Sequence, residues 1–208
     1  MAGPSTQSQK QIDFEDLNYF PPIQNGRINL MEFVKASSDL VSIVDSLGKI
    51  FSPVKNDMQG NIDKIKNSFT HDENSCLFEL IMKEKSKGGC TGAEATLWLN
   101  RALLFFELTF DGILQGLKSE VKSDDINMKA IFSSAYEGSV KKYHNWIVQR
   151  LFSVICKMSP TFPQIIASLG LASVESFETK MATFTSSLHV VRSEIDNFFK
   201  DSGLFLEV

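Results

Sequence analysis

Cysteine is scarce and unpatterned in this chain. Its three thiols, Cys76, Cys90 and Cys156, are an odd number with no Cys-x-x-Cys spacing. That argues against a disulfide scaffold or a cysteine-built metal centre and reads as reduced cytosolic sulfur. The three histidines, His71, His144 and His189, stand too far apart to suggest a metal pair, so no metal is expected. Positive charge is also short: 21 basic against 25 acidic residues give a net charge of −4, where a general nucleic-acid binder shows a basic field. No run of about 18 apolar residues is long enough to span a membrane. The polar first ten residues lack the apolar core of a signal peptide. Gly-x-Ser-x-Gly, a P-loop and His-Glu-x-x-His are all missing, and with them the commonest routes to hydrolysis, nucleotide binding and zinc chemistry. No cofactor is expected. Period-2 alternation, internal repeats and low-complexity tracts are missing too.

What the chain does have is phenylalanine, 17 residues against three tyrosines and two tryptophans. Phenylalanine fills apolar space without a polar tip to satisfy, which favours an apolar interior with room in it. At 208 residues and 43% hydrophobic the chain suits one all-α domain, expected over 29–208 behind a loose arm at 1–28 that contains Pro21-Pro22 and Asn25-Gly26. Helical periodicity runs from Asn29 to Leu47 and closes at Gly48. Ser52-Pro53 predicts a second helix to about Phe69, with serine as N-cap and proline at N1. A third is expected over 75–86. A long apolar helix over 91–118 buries more than one face and is expected to be central. A polar loop follows to Lys129, then one or two helices over 125–158, a short one over 162–169 and a last one over 173–200.

Two segments carry chemistry. Asp57, Asn61 and Lys64 fall at i, i+4 and i+7, one helical stripe bearing a carboxylate, a carboxamide and an ammonium. The same stripe also fits the wet face of a surface helix. Gly60, costing about 1 kcal/mol mid-helix, suggests a close approach to the backbone. In the second segment Trp98 has Glu94 one turn before it and Arg101 three residues after, more charge than a sealed core tolerates. An acid, an amide, an amine and a flat ring suit a neutral polyhydroxylated ligand, because hydroxyls both donate and accept. Asp57 and Glu94 are also a candidate glycosidase pair, but nothing in the sequence fixes their separation. Farther on, His144 and Trp146, read as helical, point to opposite sides. Residues 136–157 hold four cations, including Lys141 and Lys142, against the single anion Glu137. An exposed tryptophan among lysines has the composition of a membrane-surface contact, although an ordinary solvated face has it too.

Four ordered blocks together resemble the glycolipid transfer protein family: Phe51 to Ile65, Ala95 to Leu103, Ala135-Tyr136-Glu137, and Lys141 to Val148. The resemblance spans about 30–208. It implies a two-layer all-helical sandwich that extracts one glycosphingolipid from a membrane, holds its chains between the layers and shuttles it through the cytoplasm. Asp57 and Asn61 would hydrogen-bond the first sugar, with Lys64 as an added donor and Trp98 stacked on the ring. Asp57 would accept from the ceramide amide N–H while His144 donates to the amide carbonyl. Phe33, Ile43, Val44, Phe105, Val140 and Phe152 would line the chain cavity, and Trp146 with Lys141 and Lys142 would touch the membrane. A branch that binds ceramide-1-phosphate carries arginines at the positions of Trp98 and Glu94, so the carboxylate disfavours a phosphate and instead tunes which sugars fit. Leu206 stands where glycolipid-binding members place a tyrosine. The resemblance implies a monomeric, non-enzymatic carrier, transiently at cytosolic membrane faces. A lipid sensor of the same fold and a ceramide-1-phosphate carrier are the competing readings.

Overall fold

Capping chemistry sets most of the helix starts. The computed structural model describes residues 14–69, 72–119 and 122–205, and among them stand α1 Leu30–Ser46, α2 Ser52–Ser68, α3 Leu77–Ser86, α4 Thr91–Lys118, α5 Met128–Gly138, α6 Trp146–Lys157, α7 Phe162–Ser168 and α8 Val174–Ser202. Asn29, Asn127, Asn145 and Ser173 each accept a hydrogen bond from a backbone N–H of the first turn that follows. Thr161 and Gln164 form a capping box at α7. The start of α4 has no local cap. There the Glu84 carboxylate of α3 accepts from the N–H groups of Gly92 and Ala93 at 2.8 and 2.9 Å, which also places negative charge at the positive end of the helix. Gly48, at φ 100°, makes the left-handed break between α1 and α2.

No strand occurs among the described residues, and the helices stack as the expected two-layer sandwich. Its spine is α4, which packs between α2 and α8 and also carries α5, with α1 against α2 and α6 against α5. Leu99, Leu103 and Phe106 of α4 are fully buried, so the helix has core on several sides as its composition predicts. One polar network crosses the core. Glu107 of α4 pairs with Arg192 of α8, both buried, while His189 Nδ1 lies 2.6 Å from the Glu107 carboxylate and Asn100 donates to Asp196 at 2.7 Å.

Four sequence expectations need correction. The arm is not loose from residue 14 onward: Phe14, Leu17, Phe20 and Ile28 are buried, with Phe14 stacked on Phe177 and Phe20 against Phe33 and Phe184. Their apolar side chains outweigh the breakers around them; residues 1–13 lie outside the described part. Ser52 does not cap α2, because the preceding 3-10 turn Lys49–Phe51 runs straight into it and Phe51 takes the cap position. Gly60 marks no close approach, since nothing lies within 4 Å of where a Cβ would stand. The glycine that does is Gly92, whose Cβ would meet the Phe69 ring at 2.4 Å. Finally, His144 is not helical: the chain leaves α5 at Gly138, makes a 3-10 turn over Lys141–Tyr143 and holds His144 extended before α6 begins.

Two stability predictions follow from this packing. Arg192→Leu should destabilise the protein by about 3 kcal/mol in urea unfolding, because it leaves the buried Glu107 carboxylate with only His189 as a partner, and adding Glu107→Leu should recover much of that loss. Gly60→Ala should stabilise by about 0.5–1 kcal/mol and Gly92→Ala should destabilise, since only the latter must displace a ring.

Candidate functional site

Where α2, α4, the turn 139–145 and α6 converge, they leave a cleft of about 410 Å³. Its mouth is polar and its depth is not. Asp57, Asn61 and Lys64 come from α2, Trp98 from α4 and His144 from the turn, so five side chains that the sequence spreads over 88 positions line one opening. Below them the walls are Val54, Ala102, Phe105, Val140, Phe152 and Ile155. The i, i+4, i+7 stripe explains the α2 contribution: Asp57 and Lys64 are exposed at the rim while Asn61, between them, is buried.

The electrostatics follow from this half-sunken position. Burial raises the Asp57 carboxyl pKa above its ordinary value, against the opposing pull of His144 and then Lys64. Burial likewise lowers the His144 pKa, opposed by the Asp57 carboxylate. Among the groups lining the cleft, the one carboxylate and the one ammonium balance, and a neutral His144 leaves the mouth without net charge. An acceptor, a carboxamide and donors line the cleft beside an aromatic ring, an array suited to a neutral, hydroxyl-rich group.

The turn that delivers His144 is fixed from three sides. Tyr136 of α5 places its hydroxyl 3.0 Å from His144 Nδ1. Gln149 of α6 donates to the carbonyls of Lys141 and His144 at 3.1 and 2.8 Å. Arg101 of α4 lies 3.7 Å from the Tyr143 ring centroid and 4.6 Å from that of Trp98, bridging the two rings. The sequence marks Arg101 only as a charge beside Trp98, and Tyr136 and Tyr143 only as members of the family-like blocks; nothing in it points to Gln149, or to the four together as braces of one turn. Tyr136 and His144 are eight residues apart on different elements, and no periodicity predicts their contact.

Several expected positions fall elsewhere. Phe33, Ile43 and Val44 do not line the cleft; they are buried core residues of α1, on its inward stripe. Phenylalanine rings connect the two regions, with Phe105 on Phe106, Phe106 on Phe110, Phe110 on Phe184, and Phe184 on Phe20 beside Phe33. Glu94 is not in the cleft either. It is exposed and accepts a hydrogen bond from Cys90 Sγ, so the shared face of Glu94, Trp98 and Arg101 reduces to Trp98 and Arg101. Leu206 lies outside the described residues. No group of three or more His, Cys, Asp and Glu able to hold a metal occurs among the described residues.

Trp146 is 71% exposed, and it is not alone. Ile147, Leu151 and Val154 of α6 and Met158 just after it are also solvent-facing, an apolar strip of which only Trp146 stands out in the sequence. Leu151 belongs both to this strip and to the cleft wall, so the two surfaces are continuous. Lys142 sits over the Tyr143 ring and Lys141 pairs with Glu137 beside them. Among the described residues no helix is long and apolar enough to cross a membrane.

Comparison with known proteins bears on the chain as a whole. A family model described as glycolipid transfer protein matches residues 28–171. The glycolipid transfer protein of Danio rerio is 34% identical over 154 residues, covering 69% of this chain and 72% of that protein. The glycolipid transfer protein of Aureobasidium melanogenum is 28% identical over 180 residues, covering 85% and 86%. Among solved structures, the fungal glycolipid transfer protein HET-C2 superposes with a TM-score of 0.77 at 24% identity, covering 91% of this chain and 97% of that one.

The raised Asp57 pKa has a sign that can be checked. A group whose folded pKa lies above its unfolded one adds stability that is fully present below the unfolded pKa and lost as pH rises through the folded pKa. Ionised Asp57 is therefore a small net cost near neutrality. Asp57→Asn should raise the melting temperature at pH 7 slightly, the gain being small because Asp57 is exposed at the rim and solvent screens its charge. The advantage should shrink as the pH falls toward about 4, where the native carboxyl is itself becoming neutral.

Proposed function

The chain belongs to the glycolipid transfer protein family, and from that premise we propose that it moves single glycosylceramide molecules between membranes without chemical change to the lipid. One observation carries the reading: a mouth of balanced charge, with Asp57, Asn61, Lys64, Trp98 and His144 around it, opens directly onto an apolar interior. Asp57 and His144 supply the acceptor and donor that a sphingolipid amide needs, and burying that amide unpaired would cost a few kcal/mol. Asn61 and Lys64 reach sugar hydroxyls, and Trp98 offers its face to the ring's C–H side. The proposed ligand is uncharged because the cleft gathers no excess of cations. Arg101 is engaged with Trp98 and Tyr143, leaving Lys64 alone to meet a phosphate that Asp57 would repel.

The hydrocarbon sets the energetics. At about 0.8 kcal/mol per methylene, a ceramide of roughly 30 methylenes loses over 20 kcal/mol on entering water bare. A cleft of 410 Å³ lies low in the range of about 300–1,000 Å³ that holds drug-sized ligands, so it does not enclose two long chains as it stands. An unfilled apolar tunnel would collapse. We infer that the chains enter by parting the phenylalanine contacts beyond Phe105, toward Phe33, Ile43 and Val44. Apolar α6 provides the place for this to begin, with Trp146, Ile147 and Leu151 entering the bilayer surface, supported by Lys141 and Lys142. The protein is proposed to act as a monomer at the cytosolic face of membranes, with no metal, cofactor or nucleic acid.

Purified protein should move fluorescent glucosyl- or galactosylceramide between vesicles without nucleotide or metal. Asp57→Val and Trp98→Ala should each lower the rate at least tenfold while the circular dichroism stays helical; full transfer by both variants would overturn the site. In a Trp98→Phe background the remaining Trp146 should shift its emission to the blue on addition of vesicles. Trp146→Ala should slow transfer several-fold more than it weakens binding of a dispersed short-chain lipid, and equal losses in both would make Trp146 a packing residue.

A further inference from the structure

The hydrogen bond behind His144 determines what His144 can do in front. Its ring has two nitrogens, and in the neutral form one donates while the other accepts. Nδ1 is taken, 3.0 Å from the Tyr136 hydroxyl, which leaves Nε2 as the nitrogen available to the cleft that His144 lines. Whether Nε2 carries a hydrogen follows from which way the Tyr136 bond runs. A phenol is a stronger donor than acceptor, and an imidazole nitrogen a stronger acceptor than a phenol oxygen, so the favoured bond runs from Tyr136 O–H to Nδ1. Tyr136 itself has little freedom: it is 5% exposed and its ring lies flat on Phe152, 4.0 Å between centroids and 6° between planes. Burial pushes its pKa up to about 12, so the hydroxyl keeps its proton at any working pH. The Asp57 carboxylate on the cleft side adds a field that favours a hydrogen on Nε2.

We propose that Tyr136 is a positioning residue that locks His144 in the Nε2–H form, so that His144 presents a donor to a carbonyl in the cleft. The inference rests on the lipid-binding reading above and adds a role for a residue that never touches the ligand. Gln149, holding the His144 carbonyl at 2.8 Å, fixes the backbone while Tyr136 fixes the ring.

The test is Tyr136→Phe, which keeps the stack on Phe152 and removes only the oxygen. Ring nitrogen NMR of the full-length protein should show native His144 with its hydrogen on Nε2 and the variant as a mixture of both forms. Binding of short-chain glucosylceramide should fall about fivefold, the worth of one ordinary hydrogen bond, with the helical circular dichroism unchanged. In a His144→Ala background, Tyr136→Phe should cost nothing more. If native His144 carries its hydrogen on Nδ1, or if Tyr136→Phe alters neither tautomer nor affinity while His144→Ala abolishes binding, the positioning role is wrong and the cleft reading stands. If His144→Ala binds like the native protein, the cleft reading itself fails.

Discussion

Hydrocarbon can be recognised only by volume, so a carrier that distinguishes lipids must do so at a polar rim, and the rim must be rigid while the interior yields. That division organises this protein. The rim is assembled from three places in the chain, and its weakest member by secondary structure, the turn 139–145, is its most heavily braced. Tyr136, Gln149 and the Arg101–Tyr143 contact hold the turn from α5, α6 and α4. The bracing residues act on the turn, while Asp57, Asn61, Lys64 and His144 line the cleft, where we propose they meet the ligand.

The interior follows the opposite rule. Apart from the Glu107–Arg192 network that ties α4 to α8, the core is largely aliphatic and phenylalanine side chains, with few polar partners to break when helices move. Ring–ring contacts, tilted or edge-to-face, can part without leaving unsatisfied donors, which a core cross-linked by hydrogen bonds could not do. The phenylalanine series from Phe105 to Phe33 is therefore the route we propose for the hydrocarbon chains, which would replace ring–ring contacts along it. The exposed apolar strip lies along α6, and Leu151 joins it to the cleft wall.

Much of this was legible in the sequence because it obeys short-range rules. The boundaries of α4 were read correctly and the i, i+4, i+7 stripe of α2 does face one opening, since helical periodicity places side chains without reference to the rest of the fold. Trp98 in a polar setting was legible from the charges one turn away. What escaped depends on long-range contact. Glu94 shares the helix with Trp98 but turns to Cys90, and Phe33, Ile43 and Val44 are apolar and inward without meeting the cleft. The burial of Phe14 and Phe20 is decided by α8, more than 150 residues distant. The break that frees His144 from a helix has no proline to announce it; only the Asn145 cap, binding the N–H groups of Ile147 and Val148, marks where α6 must restart.

The most direct test of the central claim is native mass spectrometry of the protein recovered from mixed vesicles containing equal glucosylceramide, sphingomyelin and ceramide-1-phosphate. The account predicts a single added mass, that of one glucosylceramide per chain, with the other two lipids absent. Recovery of protein carrying ceramide-1-phosphate in equal amount, or no lipid at all, would contradict it.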